Sequence, residues 1–379
     1  MMRKSVFTLL VLLSACAGKP APEPVVPIVG EVELLEAMAN TPSWQQLDIG
    51  IPVFDLAVTS SDGYDLAETV YSEVRANERH LLPYILRQEL IVSDQWGAVR
   101  VLPQADPSVD LLIDGELLES TGNRLQLRLS ARDSSGRPWL DRVYTDLALE
   151  QDYPPIGQLR DDQQSYRLMS EEPFRDLFQQ FANDLVRVRA SMGAAELQEL
   201  SELSLMLFAA DLAPESFSDN IRRNEEGLYE VISLPAANDP MLIRVRDMRT
   251  RHHLFIDTVD EYYQALYQDM HQSYLIWRRH SFDQIQEEKM ASSRDRAQLS
   301  STSSSGFTAL RQRYDRFRWS KIYEQEFREL ASGFNREAAP AILQLNEQVH
   351  GLTGTMDEQY IQWRRILRQL FALEMGDTL

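Results

Sequence analysis

The hydrophobic pattern divides the chain in two, and that division limits the fold more than any other feature. Up to about Glu150, short apolar runs and alternating stretches flank one helical pattern; from about Glu171 apolar residues mostly recur every three to four. A period of two marks a strand with one buried face, and a period near 3.6 marks a helix with one buried stripe. A chain that does the first and then the second folds as α+β: a small α/β sheet domain followed by a larger, mostly α-helical one. Its 379 residues suffice for two or three domains. The boundaries fall at 47–150 for the α/β domain, 151–170 for a linker and 171–379 for the helical domain.

Within the first part, Ile51 to Val58 is a near-continuous apolar run closed by the turn former Ser60-Ser61-Asp62-Gly63, which predicts a buried strand. Leu82, Ile85, Leu86 and Leu90 share one face of a helix predicted over Glu78 to Ile91. Strands follow at Trp96 to Pro103 and Val109 to Glu119. Arg124 to Asp133 then alternates, with Leu125, Leu127, Leu129 and Ala131 on one side, and Trp139 to Leu147 returns after a turn at Asp133-Ser134-Ser135-Gly136.

Strand, helix, strand, then Ala105 to Gly115 and a hairpin turning at Asp133-Ser134-Ser135-Gly136-Arg137-Pro138-Trp139 resembles a group of periplasmic α/β modules. These are the TolB amino-terminal domain, the curli secretion lipoprotein and the lipoprotein activators of penicillin-binding proteins. The likeness covers residues 47–147 and lies in element order and a loose Asp–Gly–Trp hairpin. It implies a periplasmic α/β module.

In the second part, Phe174, Leu177, Phe178, Phe181, Leu185, Val188 and Met192 form one stripe, and Leu197, Leu200, Leu203 and Leu207 form another. An extended piece is expected at Gly227 to Pro235. Tyr263, Tyr267, Met270, Tyr274 and Trp277 recur at alternating spacings of four and three. So do Ala338, Ile342, Leu345, Val349 and Leu352, and again Met356, Tyr360, Trp363, Leu367 and Leu370. Each set predicts a helix with an apolar seam. Ser300 to Gly306 reads as a flexible loop. Met270 to Arg279 echoes Met356 to Arg365, which fits a shared Tyr/Trp seam better than a duplication, because the flanks differ.

The amino terminus reads as an export signal over residues 1–15. Arg3 and Lys4 precede the apolar Val6 to Leu13, which is far short of the roughly 20 residues a spanning helix needs. Leu13-Ser14-Ala15-Cys16 resembles the lipobox of bacterial lipoproteins. That resemblance implies lipidation of Cys16, cleavage before it and attachment to the lipid bilayer; an ordinary small-x-small cleavage site is the alternative. Each buried methylene adds about 0.8 kcal/mol, so two or three acyl chains anchor stably. Ala17 is not the aspartate of inner-membrane retention, so the resemblance points to the outer membrane, periplasmic side. Residues 16–46 then form a Pro-rich tether, with Pro20, Pro22, Pro24 and Pro27 favouring an extended spacer.

Cys16 is the only cysteine, so no disulfide contributes and stability must come from burial. A net charge of −20 repels phosphate backbones and excludes nucleic acid as a partner class. Sites for chemistry are sparse. His253, Asp257 and Glu261 would stack at i, i+4 and i+8 on a helix, beside His252 and Asp260, and are weak metal candidates. Imidazole–carboxylate rows of this kind are more often surface pairs. No Gly-x-Ser-x-Gly, zincin His-Glu-x-x-His or phosphate loop occurs, so no catalytic residue and no cofactor is assigned. Trp277, Trp319 and Trp363, with Tyr262, Tyr263, Tyr267, Tyr274, Tyr314, Tyr323 and Tyr360, fit a helical core or an interface. The expectation is therefore a non-catalytic binding or assembly component with an envelope protein partner. The alternatives are an envelope hydrolase acting on peptidoglycan or another glycan, and a small-ligand binder with an apolar pocket between the domains.

Overall fold

The computed structural model describes residues 26–38, 41–57, 66–153, 172–297, 325, 342–345 and 348–375. The signal at 1–15, Cys16, most of the predicted linker, the serine-rich stretch at 300–306, and Tyr314, Trp319 and Tyr323 lie outside the described residues. Among those described, no helix is long and apolar enough to cross a membrane.

In the first part the elements are β1 (Ile49–Pro52), β2 (Asp55–Leu56), α1 (Leu66–Val92), β3 (Val99–Leu102), β4 (Leu111–Ser120), β5 (Arg124–Asp133) and β6 (Pro138–Leu147). β1 lies between β3 and β4, parallel to both, and is buried throughout. β5 and β6 join antiparallel, giving the order β3-β1-β4-β5-β6 with β2 beside β4. The alternation in β5 sets its faces as expected, with Leu125, Leu127 and Leu129 fully buried.

The predicted strand at 51–58 is instead broken at Val53 and Phe54, and α1 explains the break. Pro83 has no N–H, so the Arg79 carbonyl four residues earlier lacks its helical donor. The Phe54 N–H donates to it at 3.0 Å, and this turns the chain between β1 and β2. The Phe54 ring then fills the space over Gly115, where a Cβ would stand only 2.5 Å from it.

Both sheet edges are covered, as an unpaired edge invites association. The Val101 N–H of β3 donates to Asp260 Oδ1 at 3.0 Å. On β6, the Thr145 carbonyl accepts from the Val29 N–H at 2.8 Å. From there Val32 N–H reaches Asp176, Leu35 N–H reaches Asn183 and Ala37 N–H reaches the Ser93 carbonyl. Residues 28–37, assigned by sequence to the tether, are thus strapped to the folded body.

The second part comprises α2 (Arg175–Ala190), α3 (Ala194–Leu212), a single turn at Pro214–Phe217, the hairpin β7 (Ile221–Arg223) and β8 (Tyr229–Val231), α4 (Pro240–Ala297), β9 (Ile342–Leu345), β10 (Gln348–Gly351) and α5 (Met356–Met375). The expected helix through Ile342 and Leu352 is corrected: the chain there forms the antiparallel β9–β10 hairpin. Pro340 disfavours helix just before it, and Asn346 is a turn former between two short apolar runs.

Sheet and helices share one apolar core running from Leu47 to Phe371. α2 packs on β6 and α1, while α4 runs along β3 and packs against α1, α3 and α5. At the centre of this junction Arg278 is fully buried. It donates to Glu78 Oε1, Ser120 Oγ and the Tyr274 hydroxyl, each at 2.8 Å, and to the Thr121 carbonyl, with its guanidinium over the Phe174 ring. Burial works against the charge, but Tyr274, Glu78 and Tyr153 more than offset it and hold the arginine above its ordinary value.

Removing Arg278 leaves Glu78 buried without a counter-charge. Arg278→Met should therefore cost roughly 3–5 kcal/mol in denaturant unfolding, and Glu78→Leu with Arg278→Met should recover much of that loss. A double variant as unstable as the sum of the singles would reject the coupling.

A second prediction concerns Asp146, at the end of β6. Burial pushes its carboxyl up from 3.8 to about 7, with Asp176 and Asp152 adding to the rise against the Leu147 and Leu177 amides. The native state thus holds this proton longer than the unfolded chain, so the group's contribution is complete below about pH 4 and is lost as pH rises to about 7. Asp146→Asn should gain on the wild type across that window and keep the gain above it. Urea midpoints at pH 4 and pH 8 measure this, and an equal shift at both would reject it.

Candidate functional site

His252 and His271 are buried, and the constellation around each could be mistaken for reactive machinery. In one, His252 of α4 sits between Asp106, in the β3–β4 loop, and Trp363 of α5. Asp106 Oδ2 lies 2.8 Å from His252 Nε2, and Trp363 Nε1 lies 3.1 Å from His252 Nδ1. An indole nitrogen can only donate, so Nδ1 is the acceptor and Nε2 carries the hydrogen toward Asp106. The Tyr360 hydroxyl also donates to Asp106. Burial acts to raise the Asp106 carboxyl, but His252, Arg364 and Ser108 together hold it well below the carboxylate range. With both ring nitrogens engaged, His252 has no free lone pair for a general base. It clamps α5 to the sheet. His271 is likewise committed to Glu172, at 2.9 Å, with Tyr267 stacked on its ring.

The weak metal candidates His253, Asp257 and Glu261 do lie along one helix, α4, but they do not converge. Asp257 pairs with Arg100 of β3 at 2.5 Å, and Asp260 caps the Val101 amide and pairs with Arg87. Glu261 is exposed. Burial, then the cations Arg249 and Arg100, hold His253 down to about 3. Two arginines beside the imidazole repel a divalent ion. Among the described residues no three His, Cys, Asp or Glu side chains are placed to hold a metal. Of that row Asp257 meets β3, and Asp260 beside it seals the β3 edge.

The described aromatics are mainly core. Tyr263, Tyr267, Tyr274, Trp277, Tyr360 and Trp363 are buried, and Tyr262 is half-buried. The two echoing segments both place their Tyr and Trp in the core, yet Arg278 is buried on Glu78 whereas Arg364 pairs with Asp211.

The β5–β6 turn, α3 and the β7–β8 hairpin enclose a groove of about 600 Å³. The turn is built by Asp133, whose carboxylate accepts from the Ser135 amide and hydroxyl, the Arg137 amide and Nε, and Trp139 Nε1. Gly136 follows with φ +89°, which a side chain would strain. This is the physical content of the Asp–Gly–Trp pattern. The turn holds both walls: Ser134 Oγ donates to the Leu200 carbonyl at 2.7 Å, and the Tyr229 N–H donates to the Ser135 carbonyl at 2.8 Å.

The α3 wall presents Glu196, Glu199, Leu200, Glu202 and Leu203; the other presents Tyr229 to Leu234, with Ile232 and Leu234 about half exposed. Glu196 accepts from Arg137 and from the Gly193 amide that starts α3. The Arg137 bond holds its carboxyl below the ordinary range, the opposite of what a glycosidase general acid requires. Beyond Tyr229 a second, mainly apolar hollow of about 270 Å³ lies under Leu112 and Leu207. It is smaller than the roughly 300–1,000 Å³ of ligand clefts. The groove residues were missed by sequence; the one signal was the extended piece at 227–235 standing alone among helices.

No known protein family matches the chain, and no curated protein matches it. Among solved structures it is similar to the hypothetical protein CT253 from Chlamydia trachomatis, with 10% identity and a TM-score of 0.21, covering 38% of this chain and 96% of that one. A likeness at that level carries no argument about fold or function.

Asp133 organises the groove, so Asp133→Ala should destabilise by roughly 2–4 kcal/mol, since buried donors lose their acceptor. It should also accelerate hydrogen exchange at the Tyr229 amide. Unchanged exchange there would show that the turn does not hold the hairpin.

Proposed function

We propose that this protein is a lipoprotein anchored through Cys16 to the outer membrane, facing the periplasm, where it acts as a non-catalytic binding or assembly component of the cell envelope. The anchor rests on the Leu13-Ser14-Ala15-Cys16 lipobox and the signal before it. The resemblance of residues 47–147 to periplasmic α/β modules fits an envelope location. The observation that carries the binding role is the open groove between α3 and β8, with half-exposed Ile232 and Leu234 on its lip. Exposed apolar residues beside polar ones are the mark of a contact surface. His252, by contrast, has both ring nitrogens hydrogen-bonded and serves as a clamp, and His271 is bonded to Glu172.

Crosslinking in intact cells, then purification of the lipidated protein and mass spectrometry, tests the role. A reproducible envelope protein joined to the groove's residues is the expected result; a clean monomer under saturating crosslinker would reject it. Cys16→Ala should move the protein from the membrane pellet to the soluble periplasm. Pelleting at wild-type levels would show that the lipid is not the anchor.

A further inference from the structure

The β7–β8 hairpin has an edge whose pairing can be worked out rung by rung. Ile221 faces Val231, Arg222 faces Glu230 and Arg223 faces Tyr229. The Asn224 N–H donates to the Leu228 carbonyl, and the Ile232 N–H donates to the Asn220 carbonyl. In an antiparallel pair, hydrogen-bonded and non-bonded rungs alternate. The 228, 230 and 232 rungs therefore bond inward to β7, and the amides and carbonyls of Tyr229 and Val231 point outward. The Tyr229 N–H confirms the parity, since it is already taken by the Ser135 carbonyl on that outer side.

The turn thus fills the first rung of an open edge. Beyond it, the Tyr229 carbonyl and both backbone groups of Val231 have no partner among the described residues. The same residues line the groove, and α3 forms the opposite wall. A strand edge facing a helix across a groove is the geometry in which a peptide adds as a further strand.

The chemistry of the walls specifies the occupant. Glu199 and Glu202 are exposed, and neither has an ion pair among the described residues, whereas Glu196 and Glu230 are paired to Arg137 and Arg222. Leu203, Ile232 and Leu234 supply apolar contact beside them. We propose that the groove takes an extended segment of a partner protein, paired to the outer edge of β8, with basic residues toward Glu199 and Glu202 and apolar residues toward Ile232 and Leu234. β8 spans Tyr229–Val231 and the Ser233 carbonyl already accepts from the Asn220 side chain, so the open edge, the Tyr229 carbonyl and both backbone groups of Val231, accommodates about three residues of partner. This rests on the reading of the protein as a binding component and assigns its mode.

The test uses the full-length lipidated protein in detergent and a fluorescent, acetylated hexapeptide alternating Lys and Val. Two controls accompany it: the same peptide with Glu for Lys, and one N-methylated at alternate amides, which cannot pair. The expected result is saturable binding of the basic peptide, weakened by salt and at least tenfold by N-methylation. Glu199→Lys with Glu202→Lys should weaken it at least tenfold as well. Val231→Pro removes an outward N–H without touching the β7 ladder, and should do the same with an unchanged circular dichroism spectrum. Equal binding of the N-methylated or acidic peptide, or no saturable binding, overturns the proposal. In-cell crosslinks to an envelope partner that persist undiminished in Val231→Pro would overturn this mode while leaving the binding role standing.

Discussion

The buried pair of Glu78 and Arg278 is the contact on which the rest of the molecule depends. It joins α1, the β4–β5 turn through Ser120 and Thr121, the segment leading into α2 through Phe174, and α4. Close by, Gly122 lets α4 approach so closely that a Cβ there would stand 2.1 Å from the Phe282 nitrogen. An arginine with no exposure is costly unless every donor finds an acceptor. Here the geometry that satisfies it also fixes how the long helix crosses the sheet. An apolar substitute for Arg278 could fill the volume but would leave Glu78 buried without its partner.

That constraint is why two regions with different hydrophobic periods fold around one core. The period itself was legible. β5 alternates in the sequence and in the fold, and Tyr263, Tyr267, Met270, Tyr274 and Trp277 form the buried seam of α4 that their spacing implied. What the pattern could not contain was any term connecting residues 78 and 278, because pairing across such a separation leaves no local trace. Arg278 reads as a rim residue beside Trp277, and the structure places it at the centre.

The misreadings have a common cause. The stretch from Ile342 to Val349 carries a spacing that suits a helix, yet with only two short apolar runs around Asn346 a hairpin satisfies the same positions. His253, Asp257 and Glu261 share a helix face, but of the three it is Asp257 that pairs with β3, through Arg100, while the neighbouring Asp260 seals the β3 edge; carboxylates in such roles have the same chemistry as metal ligands. The strap at residues 28–37 follows the prolines of a spacer, but Ile28, Val29, Val32, Leu34 and Leu35 make it largely apolar, and its amides are needed by Asp176, Asn183 and Thr145. In each case local composition described a residue's type correctly and its partner decided its role.

The groove follows from the same logic applied to what is left over. Nearly every buried carboxylate that the sequence offers as a possible acid or base is consumed in holding elements together: Asp106 by His252 and Tyr360, Asp110 by Ser204 and the Asp48 amide, Glu89 by Arg175 and Gln179, Asp184 by Tyr144 and Arg187. Groups so saturated are poor at moving protons and good at fixing geometry. At the groove, backbone groups on β8 and two exposed glutamates on α3 are left available. Unpaired backbone beside unpaired charge can recognise a strand of another protein, and it needs no nucleophile to do so.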